Sequence, residues 1–273
     1  MHFILNMSMN NATQYAEKRK GQQHIDTQLI LRHKLETIKG LTGVISHEFN
    51  NLLMCIQGET SLLLYKTPKD DPRYLRMKQI ERHIEKGARL SNWACGFPVA
   101  LQSLRRCPDL DRLVKDSIDK FSGLTEIVFQ IESASCLLPV NIDERHIRTA
   151  LKNIYSFFLA GKGGIIDIRC ENRTLDSYGR ELTGLKMDRY VTISVRDKKR
   201  YLAEGELLEV FTPGINLAKN TESNIPAMLI TAYWIIDKNM GRLVVTSEKE
   251  KGTEFSIYLP AESEDHSLYP PGT

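Results

Sequence analysis

A one-sided apolar stripe in the first quarter of the chain constrains the fold more than any other feature. Ile38, Leu41, Ile45, Phe49, Leu52 and Ile56 recur at steps of three and four residues with no proline between them. That spacing is the period of an amphipathic helix whose apolar side forms a heptad-like seam. Leu29, Leu31 and Leu35 lead into the pattern, which runs to about Tyr65. There Lys66-Thr67-Pro68-Lys69-Asp70-Asp71-Pro72 breaks the helix and turns the chain. A second helical pattern starts near Arg73 and passes through Leu75, Met77, Ile80, Ile84, Ala88, Leu90 and Trp93 to about Phe97, before Pro98. Two long helices joined by a short turn make a helical hairpin. One hairpin cannot bury its stripe alone, so two copies are expected to pair into a four-helix bundle, a homodimer.

His47 is off that seam. At ~100° per residue it lies roughly 160° round the helix from both Ile45 and Phe49, on the face turned to water. A lone histidine in such a place is most often a solvated surface residue. The flanking residues say more. Ser46-His47-Glu48-Phe49-Asn50-Asn51-Leu52-Leu53 resembles the phosphoacceptor box of two-component sensor histidine kinases, in the subgroup whose box runs His-Asp/Glu-Phe-Asn-Asn-Leu-Leu. The resemblance implies that His47 carries a phosphoryl group. Such transfer needs an exposed ring nitrogen in line with the leaving oxygen. Glu48 can accept the proton of the other ring nitrogen and sharpen the nucleophile. Asn51, one turn on, has an amide able to position a water or a phosphoryl oxygen.

The whole chain, at 273 residues, is long enough for about two domains with real cores. Its net charge of +3, with Lys and Arg scattered among acids, gives no support for nucleic acid as a partner. Cys55, Cys95, Cys107, Cys136 and Cys170 have no metal-type spacing and are expected to be reduced thiols, with no metal site. No stretch reaches the roughly 18 apolar residues of a membrane span, and the first residues do not form a signal peptide. A cytoplasmic protein with no membrane partner is expected.

Residues 1–25 are polar and aperiodic and are expected to be a disordered lead-in, with the hairpin over 26–100. A basic link from Gln102 to Pro108 follows, then a helix from Leu110 to Phe121 and extended segments around Glu126 to Glu132 and Cys136 to Val140. Asp143 suits the N-cap of a helix reaching Leu159, which Gly161 and Gly163-Gly164 stop. Strand patterns occupy Ile165 to Glu171 and Arg189 to Arg196, and Glu204 to Asn224 reads as loop with a short helix. A helix from Ile225 to Met240, an antiparallel pair at Arg242 to Ser247 and Glu254 to Leu259, and a flexible tail over 261–273 complete the order. The fold class is therefore α plus α/β: a dimerising helical hairpin followed by an α/β sandwich, with helices over one face of a mixed sheet.

Residues 108–260 resemble the ATP-binding domain that follows the phosphoacceptor hairpin in histidine kinases. Ala150-Leu151-Lys152-Asn153-Ile154, Gly163-Gly164-Ile165-Ile166-Asp167-Ile168, Gly241-Arg242-Leu243-Val244-Val245-Thr246-Ser247 and Gly252-Thr253-Glu254-Phe255-Ser256-Ile257 carry the match. With the hairpin, the resemblance covers Leu29 to Pro260. Its nucleotide site is degenerate. In the family a second Asn, four residues after the one matched by Asn153, holds magnesium; here that place is Phe157, which offers no oxygen to a hard cation. The Asp-x-Gly-x-Gly turn falls on Asp197-Lys198-Lys199-Arg200-Tyr201, so the adenine-binding Asp197 survives while both glycines become Lys199 and Tyr201. The Gly-x-Gly-Leu-Gly-Leu box falls on Asn224-Ile225-Pro226-Ala227-Met228-Leu229, with no glycine, and Pro226 removes a donor from the helix N-terminus. The Phe-rich box is reduced to Phe211-Thr212-Pro213-Gly214. No cofactor is expected, neither ATP nor magnesium. Asp197, Gly252 and Thr253 are read as supports of the fold, Lys198, Lys199 and Arg200 as a solvated loop, and the old adenine pocket as packed by Tyr201, Phe157 and Met228.

The function ranked first is a phosphotransfer protein, which resembles the dimeric histidine phosphotransferases with degenerate kinase folds. It would relay a phosphoryl group between the receiver Asp of response regulators, or of a hybrid histidine kinase, and His47. A pseudo-histidine kinase that acts as a binding module, or a response-regulator phosphatase in which Asn51 orients water, ranks second. An active ATP-dependent histidine kinase ranks last.

Overall fold

A computed structural model of the chain describes residues 2–94, 105–119, 121, 127–160, 164–186, 189–212 and 225–262. Two compact units emerge: Lys34–Gln102 is one, and Met1–His33 together with Ser103–Thr273 is the other.

The first unit holds the later part of α1 (His2–Lys66) and all of α2 (Pro72–Ala94). The turn between them forms where proline and aspartate dictate. Pro72 opens α2, where its missing N–H is no loss, and Asp71 Oδ1 accepts from the Arg73 N–H at 2.8 Å. Hydrogen bonds from the Arg73 side chain and backbone hold the Asp71 carboxyl down at about 2. Thr60 and Ile84 are buried in this unit. At Gly87 a Cβ would stand 3.3 Å from Leu53 Cδ2, so a residue without a side chain lets Leu53 settle against α2. The seam itself stays open: Ile45, Leu52, Ile56 and Leu63 are 65 %, 62 %, 47 % and 56 % exposed.

In the second unit, β2 (Val128–Ser133), β4 (Ile165–Thr174), β5 (Arg189–Asp197), β7 (Gly252–Pro260) and β6 (Arg242–Glu248) lie side by side in that order. Only β2 and β4 run parallel; the other pairs are antiparallel. The register aligns Ile168 with Val195, Val195 with Phe255 and Phe255 with Val245, giving one buried row across four strands. Helices α3 (Leu110–Ile118), α4 (Glu144–Leu159) and α7 (Ile225–Lys238) supply the other half of the core through Val114, Ile147, Leu151, Ile154, Leu229 and Ile235. Each of these side chains, fully buried, stabilises by about 1.5–3 kcal/mol. Asp143 caps α4 by accepting from the Arg145 and His146 N–H groups, and the helix ends at Leu159, as its sequence predicts. A smaller apolar cluster of Leu175, Tyr190, Val244 and Tyr258 packs with Leu182 and Leu185, from and just after α5 (Ser177–Thr183). The remaining helix, α6 (Glu204–Glu209), follows β5.

Four expectations need correction. Residues 2–25 are helical, as the start of α1, and Ile25, Thr27, Gln28 and Leu31 are buried in the second unit rather than lying in or beside a disordered lead-in. That burial is tertiary and leaves no local period in the polar sequence before it. Arg105–Arg106 forms a short strand, β1, paired with β3 (Ile142–Asp143). Cys136 to Val140 is not a strand. There the Asn172 side chain satisfies the backbone instead, accepting from Leu138 N at 2.8 Å and donating to Cys136 O at 2.7 Å. The domain also runs past Pro260: Ala261 bridges to Val140, and Glu262 N donates to Pro139 O. Phe97, Pro98, the link from Gln102 to Leu104, Gly161, Gly163, residues 213–224 and the tail from 263 lie outside the described residues.

Met240, at the turn between α7 and β6, is left-handed at φ 62° and 67 % exposed. A side chain in that conformation is strained and here gains little from packing. Met240→Gly is expected to raise the unfolding free energy by about 0.5–1 kcal/mol in urea titration.

Candidate functional site

The exposed face of α1 presents the first site. His47 and Glu48 side chains are 75 % and 73 % exposed. Glu48 Oε1 lies 3.4 Å from His47 Nδ1, and Asn51 Nδ2 approaches the same nitrogen at 3.4 Å. Both neighbours therefore address Nδ1, and neither contact involves Nε2. They also ask for different tautomers. With a proton on Nδ1 the ring donates to the Glu48 carboxylate, and the Nε2 lone pair points outward as a nucleophile. With Nδ1 unprotonated the ring accepts from the Asn51 amide, and Nε2 carries the proton. The helical period brings the three residues together: Asn51 stands one turn from His47, and Glu48 adjoins it.

The second site is the region between α4, α7 and the turn after β5. Asn153 Nδ2 donates to Met228 O at 3.1 Å and ties α4 to α7. Phe157 is 1 % exposed, with its ring centroid 5.1 Å from those of both Phe158 and Phe255. The Arg200 guanidinium carbon stands 3.8 Å above the Phe157 ring centre, and its Nη1 donates to Phe157 O. Desolvation by burial lowers the Arg200 pKa, opposed by nearby Asp197. A guanidinium hydrates weakly and stacks on aromatic faces, so it tolerates this position where an ammonium would not.

The turn is held from beneath. Asp197 Oδ1 accepts from Lys199 N at 2.8 Å. Gly252, left-handed at φ 79°, passes so close that a Cβ would overlap Asp197 O and Lys198 Cα. Thr253 Oγ1 donates to Arg200 O at 2.6 Å, and Ser247 Oγ accepts from Leu202 N at 2.8 Å. Asp197, Gly252 and Thr253 thus all act on the shape of the turn.

Two sequence expectations change here. Tyr201 is 46 % exposed, so it is Arg200 rather than Tyr201 that covers Phe157. Within the cationic run Lys198, 69 % exposed and paired with Asp167 at 2.7 Å, and Lys199 are solvated as expected, whereas Arg200 turns inward. Nothing in a run of three cations marks which one will stack on a ring 43 positions away. Pro226 sits in the first turn of α7, where it supplies no N–H. Among the described residues, no three His, Cys, Asp or Glu side chains stand together as a metal site, and no helix is long and apolar enough to cross a membrane.

Phe157→Ala is expected to cost about 3–5 kcal/mol in chemical unfolding, through the cavity left among Phe158, Phe255 and Arg200. Tyr201→Ala, at an exposed position, is expected to stay within about 0.5 kcal/mol of wild type.

No family model matches the chain. It is 25 % identical over 249 residues to the sensor kinase CckA of Brucella abortus (strain 2308), a match covering 88 % of this chain and 26 % of that protein. It is 22 % identical over 256 residues to the sensor histidine kinase ZraS of Escherichia coli (strain K12), covering 90 % of this chain and 50 % of that one. The chain therefore spans about a quarter to a half of the length of these relatives. Among solved structures, the Acinetobacter baumannii histidine kinase AdeS aligns at 15 % identity and a TM-score of 0.47, over 80 % of this chain and 98 % of that chain.

Proposed function

Because the chain is a relative of the two-component sensor histidine kinases, we propose that it is a phosphotransfer protein in which His47 exchanges a phosphoryl group with the receiver Asp of a response regulator, without ATP. One observation carries this reading: an exposed histidine flanked by a carboxylate and an amide on a chain whose counterpart of the magnesium position is a buried phenyl ring under a guanidinium.

In the forward step the Nε2 lone pair attacks phosphorus of the receiver's acyl phosphate. The P–O bond to the aspartyl oxygen breaks as the N–P bond forms, and the carboxylate leaves with the electron pair. Glu48, accepting from Nδ1–H, stabilises the positive charge that grows on the ring. The reverse step returns the phosphoryl group to a second receiver, and a hybrid histidine kinase can serve as the donor. Two copies pair through the exposed seam of Ile45, Leu52, Ile56 and Leu63 and display two copies of His47.

The residues do not fit ATP with magnesium. Phe157 gives a hard cation no oxygen. Arg200 occupies the ring's open face, and Pro226 withholds a backbone donor from the start of α7. The proposed exchange therefore draws on no nucleotide.

The 3.4 Å approach of Asn51 to His47 favours a second reading, a response-regulator phosphatase in which the Asn51 amide orients water toward the receiver's phosphorus. A binding role as a pseudokinase, without movement of phosphate, is the remaining alternative.

Incubation with a labelled phospho-receiver and, in parallel, with labelled ATP separates these readings. The expected result is label on His47 from the receiver alone, absent in His47→Ala and slowed about a hundredfold in Glu48→Ala. Loss of receiver phosphate that persists in His47→Ala and disappears in Asn51→Ala would instead establish the phosphatase. Label arriving from ATP would overturn the proposal.

A further inference from the structure

The sheet order leaves β6 at an edge, and a bare edge strand offers unpaired N–H and C=O groups to any chain that can pair with it. Gln28 of α1 takes that place. Its Nε2 donates to Val245 O at 2.6 Å, and its Oε1 accepts from the Val245 N–H at 3.3 Å. One side-chain amide thus stands in for a peptide group of a further strand. Gln28 is 6 % exposed, and Ile25 and Leu31 beside it are 3 % exposed.

Two more contacts reinforce the docking. Gln23 Nε2 donates to one carboxylate oxygen of Glu204 at 2.8 Å, and Thr27 Oγ1, which donates to Gln23 O at 2.9 Å, lies 3.2 Å from the other. Arg32 Nη2 donates to Leu182 O at 3.3 Å, beside left-handed Gly184, where a Cβ would overlap the guanidinium.

The docked face is not a separate one. Stepping back along α1 from Ile56 by alternating fours and threes meets Leu52, Phe49, Ile45, Thr42, Ile38, Leu35, Leu31 and Gln28. Gln28 and Leu31 are therefore seam positions, of the same heptad register as the exposed residues further on. A polar amide at one such position is compatible with a paired helix and fixes its register.

We propose that the Gln28–Leu31 part of the seam has two mutually exclusive occupants: the β6 edge of the same chain, and α1 of a second copy. Docking of β6 is then an autoinhibitory contact that confines helix pairing to the later residues of the seam. Release of the edge frees a longer pairing face. This inference rests on the homodimer proposed above.

The test changes only residues outside α1, so that the helix surface itself is untouched. Glu204→Ala removes the acceptor for Gln23 and the carboxylate beside Thr27. Val245→Pro removes the donor to Gln28 on the free side of the edge strand, and also takes one side chain from the buried row. Amide exchange of dilute wild-type protein should show a protected Val245 N–H, with faster exchange in Glu204→Ala. Sedimentation equilibrium of the full chain should show each variant dimerising about fivefold more tightly than wild type. Rapid exchange at Val245 in wild type, or a dimer of unchanged or weaker affinity in both variants, would overturn the competition alone. A chain that stays monomeric in all three forms would overturn the dimer as well.

Discussion

An apolar seam cannot stay in water, and most of what is distinctive in this chain depends on how its seam is covered. At about 25 cal/mol per Å² of apolar surface, a handful of exposed Ile and Leu side chains stores several kcal/mol toward association. Within the hairpin, Thr60 and Ile84 are buried while Ile45, Leu52 and Leu63 stay open. Along Gln28 and Leu31 the same register is closed by the α/β unit. The stretch that is closed includes a glutamine at a seam position, where a single helix partner gives little and a sheet edge gives two hydrogen bonds. Sequence chemistry thus divides one continuous stripe into two kinds of surface.

The second constraint lies in the turn after β5. A turn that receives a nucleotide base needs glycine where backbone must pass close to that base. Here the turn carries long side chains, and Gly252 of the neighbouring strand makes the close approach instead. Once the turn is pinned by Thr253 and Ser247, Arg200 has one economical direction, over Phe157. Burying a guanidinium is costly. The ring beneath it contributes about 2 kcal/mol when desolvated, and the Phe157 carbonyl accepts one of its donors. Substitutions at positions 157 and 200 are therefore best understood together: the phenyl ring provides the platform that makes the inward arginine tolerable.

Much of this architecture is legible in the residues. Asp143 announces α4 because its short carboxylate satisfies helix N–H groups wherever it occurs, and β4, β5 and α7 carry periods that burial enforces. The hairpin turn follows from two prolines. What escapes the sequence shares one physical cause, which is that the stabilising partner is remote. Asn172 replaces a strand partner for Cys136 and Leu138 from 34 or more positions away, Arg105–Arg106 pair with a strand beyond α3, and Ile25 is buried among residues far along the chain. The site behaves likewise. His47, Glu48 and Asn51 lie within one turn of a helix, so period alone groups them. Arg200 and Phe157 meet only through the fold, so nothing local in the stretch from Lys198 to Tyr201 distinguishes the residue that packs on the ring.

The difference between these two sites also explains why the proposed chemistry at His47 asks nothing of the turn after β5. The proposed phosphoryl exchange at His47 draws on side chains fixed by α1 itself: Nδ1 has a carboxylate and an amide at equal distance, and neither contact takes up Nε2, the outer nitrogen of a side chain that is 75 % exposed. Only one of those neighbours can hold Nδ1 at a time. With Glu48 engaged, the outer nitrogen is the nucleophile and phosphorus moves to histidine. With Asn51 engaged, the outer nitrogen is protonated and cannot attack, so a phosphate held against the same helix face is left to water. On the proposed mechanism, the balance between transfer and hydrolysis therefore becomes a contest between two hydrogen bonds to a single ring nitrogen. A partner that draws Asn51 away from His47 tips that contest toward transfer.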